Sequence, residues 1–444
     1  MKSVGAAPLA LQAQAQPRRP NLLFIISDDH SYADVGCNGN QAVRTPNLDR
    51  LASQGMRFEH CFVTSAQCSP NRSSIFTGCA PHTIGTTRLH TPMPEWEPTF
   101  LEPLKQAGYF TGAFRKVHQG NPFNKRFDFY AGNETKFEAF FDKLPGNRPF
   151  WLQIGFTDPH RPYTSGAFQP PHDPAQVQVP SFLPDDPAVR QDLAHYYDFI
   201  ARMDAEAGEV LAILEKRGLA DNTLVIFTGD NGMPFPRAKA TCYDAGIRVP
   251  MIARWPGQIK PGTVKSELIA HVDLAPTWLE AAGLPVSNKM QGRSFLPLLK
   301  GAEYVPRTDV FSERNWHDNF DPMRSVRTDR YKLIFNAAPH FPYRPSADLE
   351  NSPSWQAMYK LSKTGALPNH LLRMFDANRP MLELYDLEKD AGEFANVVTN
   401  PQYEQVLNDL TARLSAWMEA TNDYLPPGVR QRGGQTQRIW PAML

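Results

Sequence analysis

The chain of 444 residues carries 46 Lys and Arg against 46 Asp and Glu, and 41% of it is hydrophobic. One ordinary core does not accommodate that length, which predicts two packed units. A formal charge of zero gives no argument for nucleic acid or an acidic membrane surface as a bulk partner, and leaves any anionic ligand to a local basic pocket.

At the amino terminus, residues 1–15 have a basic start, a weak apolar stretch and an Ala-x-Ala-like end. The pattern fits an export signal, with the look of a twin-arginine tail whose arginine box lies upstream, and so a bacterial periplasmic location. A disordered tail is the alternative. The apolar run 21–27 reads as a buried parallel strand ending at Asp28-Asp29-His30. Thr45, as a cap, and Pro46 open a helix over 45–54, and residues 56–64 form the next strand. Cys68-Ser69-Pro70-Asn71-Arg72 follows. Pro70 suits the first turn of a helix, which puts Cys68 at a helix N-terminus and Arg72 one turn on. A thiol, a helix N-terminus and an arginine together point to an oxyanion site. A buried core cysteine beside a surface arginine is the competing reading.

Further along, a helix over 100–107 closes at Gly108, and strand 109–114 ends at Lys116 and His118. Strand 150–156 ends at Asp158-Pro159-His160, and a proline- and aspartate-rich loop spans 170–187. A long helix with an apolar stripe covers 190–217; strand 222–228 ends in Gly229-Asp230-Asn231-Gly232. Strand 249–255 and a helix over 273–282 continue the alternation. Past about Pro322 the character shifts to a polar hairpin at 324–328 and 331–336, irregular sequence, and a terminal helix over 403–421. The pattern predicts an α/β unit over 20–321 with a smaller α+β unit over 322–444, after a tail of residues 1–19. Neither repeats nor an apolar run long enough for a membrane span occur.

Chemistry gathers where the strands end, and open α/β sheets place their sites at that edge. Asp28, Asp29, Asp230 and Asn231 offer hard oxygen donors suited to Ca²⁺ or Mg²⁺, or serve as caps and turns. Arg72, Lys116 and Lys239 could hold a tetrahedral anion, although a lone lysine such as Lys239 is commonly just solvated. His118 and His160 are candidates for proton transfer. The five cysteines, Cys37, Cys61, Cys68, Cys79 and Cys242, show no C-x-x-C pair, so no zinc or disulfide framework emerges.

Cys68-Ser69-Pro70-Asn71-Arg72 with Thr77-Gly78, followed in order by Lys116-Val117-His118, Asp158-Pro159-His160 and Gly229-Asp230-Asn231-Gly232, resembles the signature of type I, formylglycine-dependent sulfatases. The resemblance runs from Pro20 onward. It implies an alkaline-phosphatase-like fold, with a mostly parallel mixed sheet sandwiched by helices and a smaller subdomain with an antiparallel sheet. It also implies oxidation of Cys68 to formylglycine by a formylglycine-generating or radical maturase, and a Ca²⁺ ion (Mg²⁺ less so) at Asp28, Asp29, Asp230, Asn231 and the group derived from Cys68. Stretches 68–70, 158–161, 223–228, 230–236 and 323–326 resemble the heparan N-sulfatase (sulfamidase) branch. There are two departures: Lys239 stands where that branch has arginine, and the connection after His160 is shorter.

The implied reaction is hydrolysis of the N-sulfate of glucosamine in heparan-type sugars, or of a sulfate ester, by a monomer or homodimer. In it the Cys68-derived hydrate attacks sulfur, Arg72, Lys116 and Lys239 balance charge, His160 protonates the leaving atom, and His118 takes the proton from the remaining hydroxyl. His90, His317 and Arg324 are candidate sugar contacts, or ordinary surface or interdomain residues. The alternatives are an O-sulfatase on other sulfated sugars or aryl esters, a related phosphatase or phosphonate hydrolase, and a non-catalytic sulfoglycan-binding protein.

Overall fold

A computed structural model describes residues 18–133 and 136–425, with the short strands Val429–Arg432 and Gln435–Arg438. The expected export signal lies outside the described residues. The larger sheet is built from β1 (Asn21–Ser27), β2 (Met56–Phe62), β3 (Phe110–Arg115), β4 (Phe129–Ala131), β5 (Phe150–Gly155), β6 (Thr223–Gly229), β7 (Arg248–Arg254), β8 (Thr263–Lys265) and β9 (Ile269–Ala270). Their order is β4-β3-β5-β1-β6-β7-β2-β8, with β9 paired to β2. Only β7 runs against its neighbours, β6 and β2; the other pairings are parallel. The centre is β1, whose seven residues are all buried. Phe24 and Ile26 face one core and Leu23 and Ile25 the other, as alternating strand side chains must.

Helices cover both faces. The longest, Pro187–Lys216, starts three residues earlier than the periodicity indicates, because Asp186 accepts from Ala188 N at 2.8 Å with Pro187 at the first helical position. Thr45 does not cap the helix Pro46–Ser53. Its hydroxyl donates to Asp49 Oδ1 at 3.1 Å instead, and it accepts from Gly36 N at 2.8 Å.

A second sheet of β10 (Val310–Trp316), β11 (Phe320–Arg327), β12 (Tyr331–Asn336) and β13 (Leu382–Asp386) is antiparallel throughout, in that order. Val326, Leu333 and Leu384 pack against Leu407, Leu410 and Leu414 of the helix Glu404–Ala420. The expected polar hairpin is therefore the middle of four strands, with its polar side chains turned inward. Its charges are buried and paired: Lys332 Nζ meets Asp244, and Glu393 at 2.8 Å. A charge can sit inside a sheet interface only with such a partner. Sequence periodicity registers the charge and misses its partner.

Candidate functional site

Four neighbouring parallel strands, β3, β5, β1 and β6, end at one edge. Just beyond them stand Lys116 and His118, Asp158 and His160, Asp28 and Asp29, and Asp230 and Asn231. β2, parallel to β1 and β6 through its antiparallel partner β7, delivers the chain to the same edge and into the helix Cys68–Thr77. All ten residues of that helix are buried. It is a core element that carries chemistry on one face and Ile75 and Phe76 into the hydrophobic cluster on another. Asp29, His90 and His118 adopt left-handed backbone, with φ of 62°, 65° and 66°, a costly conformation for non-glycine residues that clusters at functional sites.

Behind the cysteine lies a carboxylate nest. Asp28, Asp29, Asp230 and Cys68 each bring one ligand atom within 4.8 Å of the others. Asn231 Nδ2 donates to Asp29 Oδ1 at 2.7 Å, and Asp29 N donates to Asp230 Oδ1 at 2.9 Å. Asp28 Oδ1 and Asn231 Oδ1 are buried without a hydrogen-bond partner. Oxygen donors left over in an anionic nest are what a hard divalent cation completes, so the residues present fit one. Burial and the adjacent Asp28 charge push Asp230 up to about 7, a repulsion that such a cation would relieve.

Cations border the nest. Arg72 Nε donates to Asp230 Oδ2 at 2.8 Å, and its Nη1 to Lys116 O at 2.9 Å. Lys116 Nζ pairs with Asp28. Burial works to raise the Asp28 carboxyl, but Lys116, His160 and Arg72 outweigh it and hold it well below the ordinary range. Lys239, 1% exposed, is far from the solvated lysine of the bland reading. Its ammonium donates to Asp29 Oδ2 at 2.7 Å and Asp348 Oδ2 at 2.6 Å, and lies 3.1 Å from His160 Nε2. Burial opposes that charge, and Asp29 foremost among its neighbours keeps it well above its ordinary value.

Cys68 Sγ is 3.8 Å from Asp29 Oδ1. Burial and the Asp28 charge push its thiol well above the ordinary value, which outweighs the helix N-terminus; as a thiol it is protonated and a poor nucleophile. His118 is pushed down to about 2 by burial and by Lys116, so it stands as a neutral imidazole. Its Nε2 is 2.7 Å from His90 Nδ1, and its Nδ1 is buried without a partner.

These groups open into a cavity of about 640 Å³ lined by Cys68, Lys116, His118, His160 and Lys239, and also by His90 and His317. Arg324 is not brought there. It lies within β11 of the second sheet, fully buried, where Asp423 holds its guanidinium, with Asn315 Oδ1 at 2.9 Å; its expected sugar contact is corrected to a structural role. Two site groups escaped the sequence reading. Asp348, from the C-terminal region, bridges Lys239 and stands 3.7 Å from His160 Nε2. Asn71 Nδ2 donates to Asp230 O at 2.7 Å and to His271 Nδ1 at 2.8 Å, steadying the nest from below. Asn71 sat within the motif as a signal, whereas Asp348 ends no strand and left none.

Comparison with known proteins bears on this geometry. A family model described as Sulfatase matches residues 20–284, and one described as N-sulphoglucosamine sulphohydrolase, C-terminal, matches residues 237–372. The chain is 31% identical to human N-sulphoglucosamine sulphohydrolase, over 92% of this chain and 91% of that protein. It is 30% identical to an ulvan-active sulfatase of Formosa agariphila, over 92% of this chain and 76% of the relative. Among solved structures, one in complex with its substrate D-glucosamine-2-N,6-O-disulfate superposes with a TM-score of 0.69 at 21% identity, covering 92% of this chain and 99% of the other. At that identity the likeness speaks for the fold.

Proposed function

The chain belongs to the sulfatase family, and from that premise we propose that it removes the N-sulfate of glucosamine units in heparan-type sugars through a nucleophile made from Cys68. It is a sulfatase of sulfated sugars; the N-sulfate is the finer reading. The observation that carries it is the division of one cavity into a carboxylate nest with spare oxygens behind Cys68 and three buried or half-buried cations around it. A sulfamate or sulfate group presents to that arrangement the negative oxygens it can hold. The match of residues 237–372 to the C-terminal model, and the human relative, favour the sulfamate.

Asp28, Asp29, Asp230 and Asn231 would hold a hard divalent cation, Ca²⁺ or Mg²⁺ by their oxygen donors, with Ca²⁺ the one the family resemblance favours. Oxidation of Cys68 to formylglycine by a maturase would supply a hydrated aldehyde as nucleophile, and the bound cation a polarised sulfate oxygen. Arg72 and Lys116 orient the anion and offset the charge that builds on its oxygens. Lys239, fixed between Asp29 and Asp348, adds charge on the side of His160. His160 Nε2 faces the cavity with its other nitrogen tied to Arg161 O, and it donates a proton to the leaving nitrogen. His118, neutral, accepts a proton from residue 68 to release sulfate. His90 and His317 border the sugar. A catalytic unit runs from residue 20, and the C-terminal unit that lends Asp348 begins with β10 at Val310, ahead of the boundary expected at 321/322, which would cut through β11. Export to the periplasm agrees with the composition of residues 1–15.

Sulfate release from N-sulfoglucosamine, set beside 6-O- and 2-O-sulfated sugars, tests the reading. N-sulfoglucosamine is expected to be turned over fastest, activity to be lost in Cys68→Ala, and chelation to remove activity that Ca²⁺ restores. Preference for an O-sulfated sugar would assign the enzyme to the O-sulfatases, and full turnover by Cys68→Ala would remove the nucleophile.

A further inference from the structure

Arg161 follows His160 directly and lines the same cavity, yet its charge is turned elsewhere. Each nitrogen of its guanidinium is engaged. Nη1 and Nη2 donate to Asp192 Oδ1 and Oδ2 at 2.7 and 2.6 Å, and Nε donates to Pro234 O at 2.8 Å. The rings of Tyr163 and Phe235 pack against it, with their centres 4.5 and 4.7 Å from the guanidinium carbon. Arg161 and Asp192 are both buried. An arginine held by a bidentate carboxylate and two rings is a fixed strut, with no donor left for an anion.

Asp192, in the helix Pro187–Lys216, has a second set of donors. Ser354, at the start of the helix Pro353–Thr364, donates to its Oδ2 from Oγ at 2.6 Å and from N at 3.3 Å. One carboxylate therefore receives a guanidinium on one side and a helix N-terminus on the other. The network joins the connection after β5, the connection after β6 and both helices. It also locates the two nitrogens of His160. Arg161 O can only accept, so His160 Nδ1 carries a proton and donates to it. His160 Nε2 lies 3.1 Å from Lys239 Nζ. Lys239 N in turn donates to Met233 O at 3.1 Å, one residue from the Pro234 carbonyl that Arg161 grips.

We propose that Arg161 and Asp192, braced by Ser354 of the C-terminal unit, are positioning residues that keep His160 Nε2 aimed at the leaving atom of the sugar. They act through His160, and the assignment rests on the reading of His160 as the proton donor. His160 stands on a connection with its side chain 28% exposed, so its own packing does not fix it and its neighbours must. Proton transfer needs donor and acceptor within hydrogen-bond reach, and a displacement of about 1 Å costs on the order of a hundredfold in rate.

Asp192→Asn keeps the shape of the side chain and removes its charge, whereas Ser354→Ala deletes the hydroxyl alone. Turnover of N-sulfoglucosamine is compared with that of para-nitrophenyl sulfate, whose leaving phenolate needs no proton. On the sugar, kcat is expected to fall about thirtyfold in Asp192→Asn and about threefold in Ser354→Ala, with KM within about twofold. On the aryl sulfate both variants should stay within about twofold of the parent. Equal losses on the two substrates would reduce the network to support of the fold. Nitrogen–proton correlation spectra of the histidine rings read the geometry without turnover, with His160→Gln identifying the His160 signal. The parent should show a hydrogen-bonded Nδ1 proton that broadens in Asp192→Asn. An unchanged signal overturns the proposal whichever substrates are accepted, and Ser354→Ala carries both measurements if Asp192→Asn does not fold. Turnover of a 6-O-sulfated sugar with none of the N-sulfate would count against the sulfamate reading alone. The same comparison then runs on that ester, whose leaving alkoxide needs the proton equally.

Discussion

At the scale of single residues, the site is held by hydrogen bonds whose direction is fixed. Asn71 Nδ2 donates to His271 Nδ1, so the other ring nitrogen carries the proton and donates to Thr228 Oγ1 at 3.0 Å, which in turn donates to Pro250 O at 2.8 Å. A proton added at Nδ1 would break the first link. Burial, with the Arg72 charge beyond, accordingly pushes His271 down to about 3. Because the unfolded chain takes up that proton near pH ~6.5, the stabilisation is complete above that value and is lost as pH falls towards 3. His271→Gln, which does not titrate, should show a shallower loss of denaturant stability between those limits than the parent. Equal slopes would mean that other groups carry the acid sensitivity. Lys239 makes the same point by charge: a lysine inside the protein is tolerable because two carboxylates were placed against it.

At the scale of elements, four adjacent parallel strands aim their C-terminal connections into one cavity, and those connections are tightly packed. A Cβ on Gly232 would meet Ala245 O at 1.9 Å, and Gly232 N donates to Gly246 O at 2.9 Å. Backbone cannot yield there as a flexible side chain can. Gly232→Ala is therefore expected to cost about 2 kcal/mol or more, the usual penalty of overpacking. It should also displace Asn231, whose Nδ2 binds Gly232 O at 2.9 Å. Calorimetric Ca²⁺ titration together with chemical denaturation checks both effects, and unchanged Ca²⁺ affinity would detach this turn from the nest. The strands themselves were readable, since apolar runs of the right length ended in polar groups. The neighbour order was not, because β3, β5, β1 and β6 are far apart along the chain and periodicity records nothing of who pairs with whom.

At the scale of the whole molecule, the second sheet is fastened to the first through a buried polar seam. His82 pairs with Glu313 and its Nε2 lies 2.7 Å from Thr421 Oγ1, while Arg324 pairs with Asp423. Arg324→Ala would leave Asp423 buried without its cation, and breaking such a pair costs about 3–5 kcal/mol. Guanidinium unfolding should show that loss, while the folded fraction keeps its selectivity among sulfated sugars. A change of selectivity with intact stability would return Arg324 to the substrate. This seam brings Asp348 and His317 over the cavity. By itself the sequence determined the α/β class and the polar groups at the strand ends, and it singled out Cys68, Arg72, Lys116, His118, His160, Asp28, Asp29, Asp230 and Asn231 as candidates for one site. These are local patterns: an apolar run, a helix start, a motif in order. Only the tertiary structure decided that Lys239 is buried between two carboxylates, that Arg324 is a structural cation and that Asp348 belongs to the site. Burial and charge pairing depend on residues about a hundred or more positions away, and a charged side chain reads the same in sequence whether it meets water or a partner.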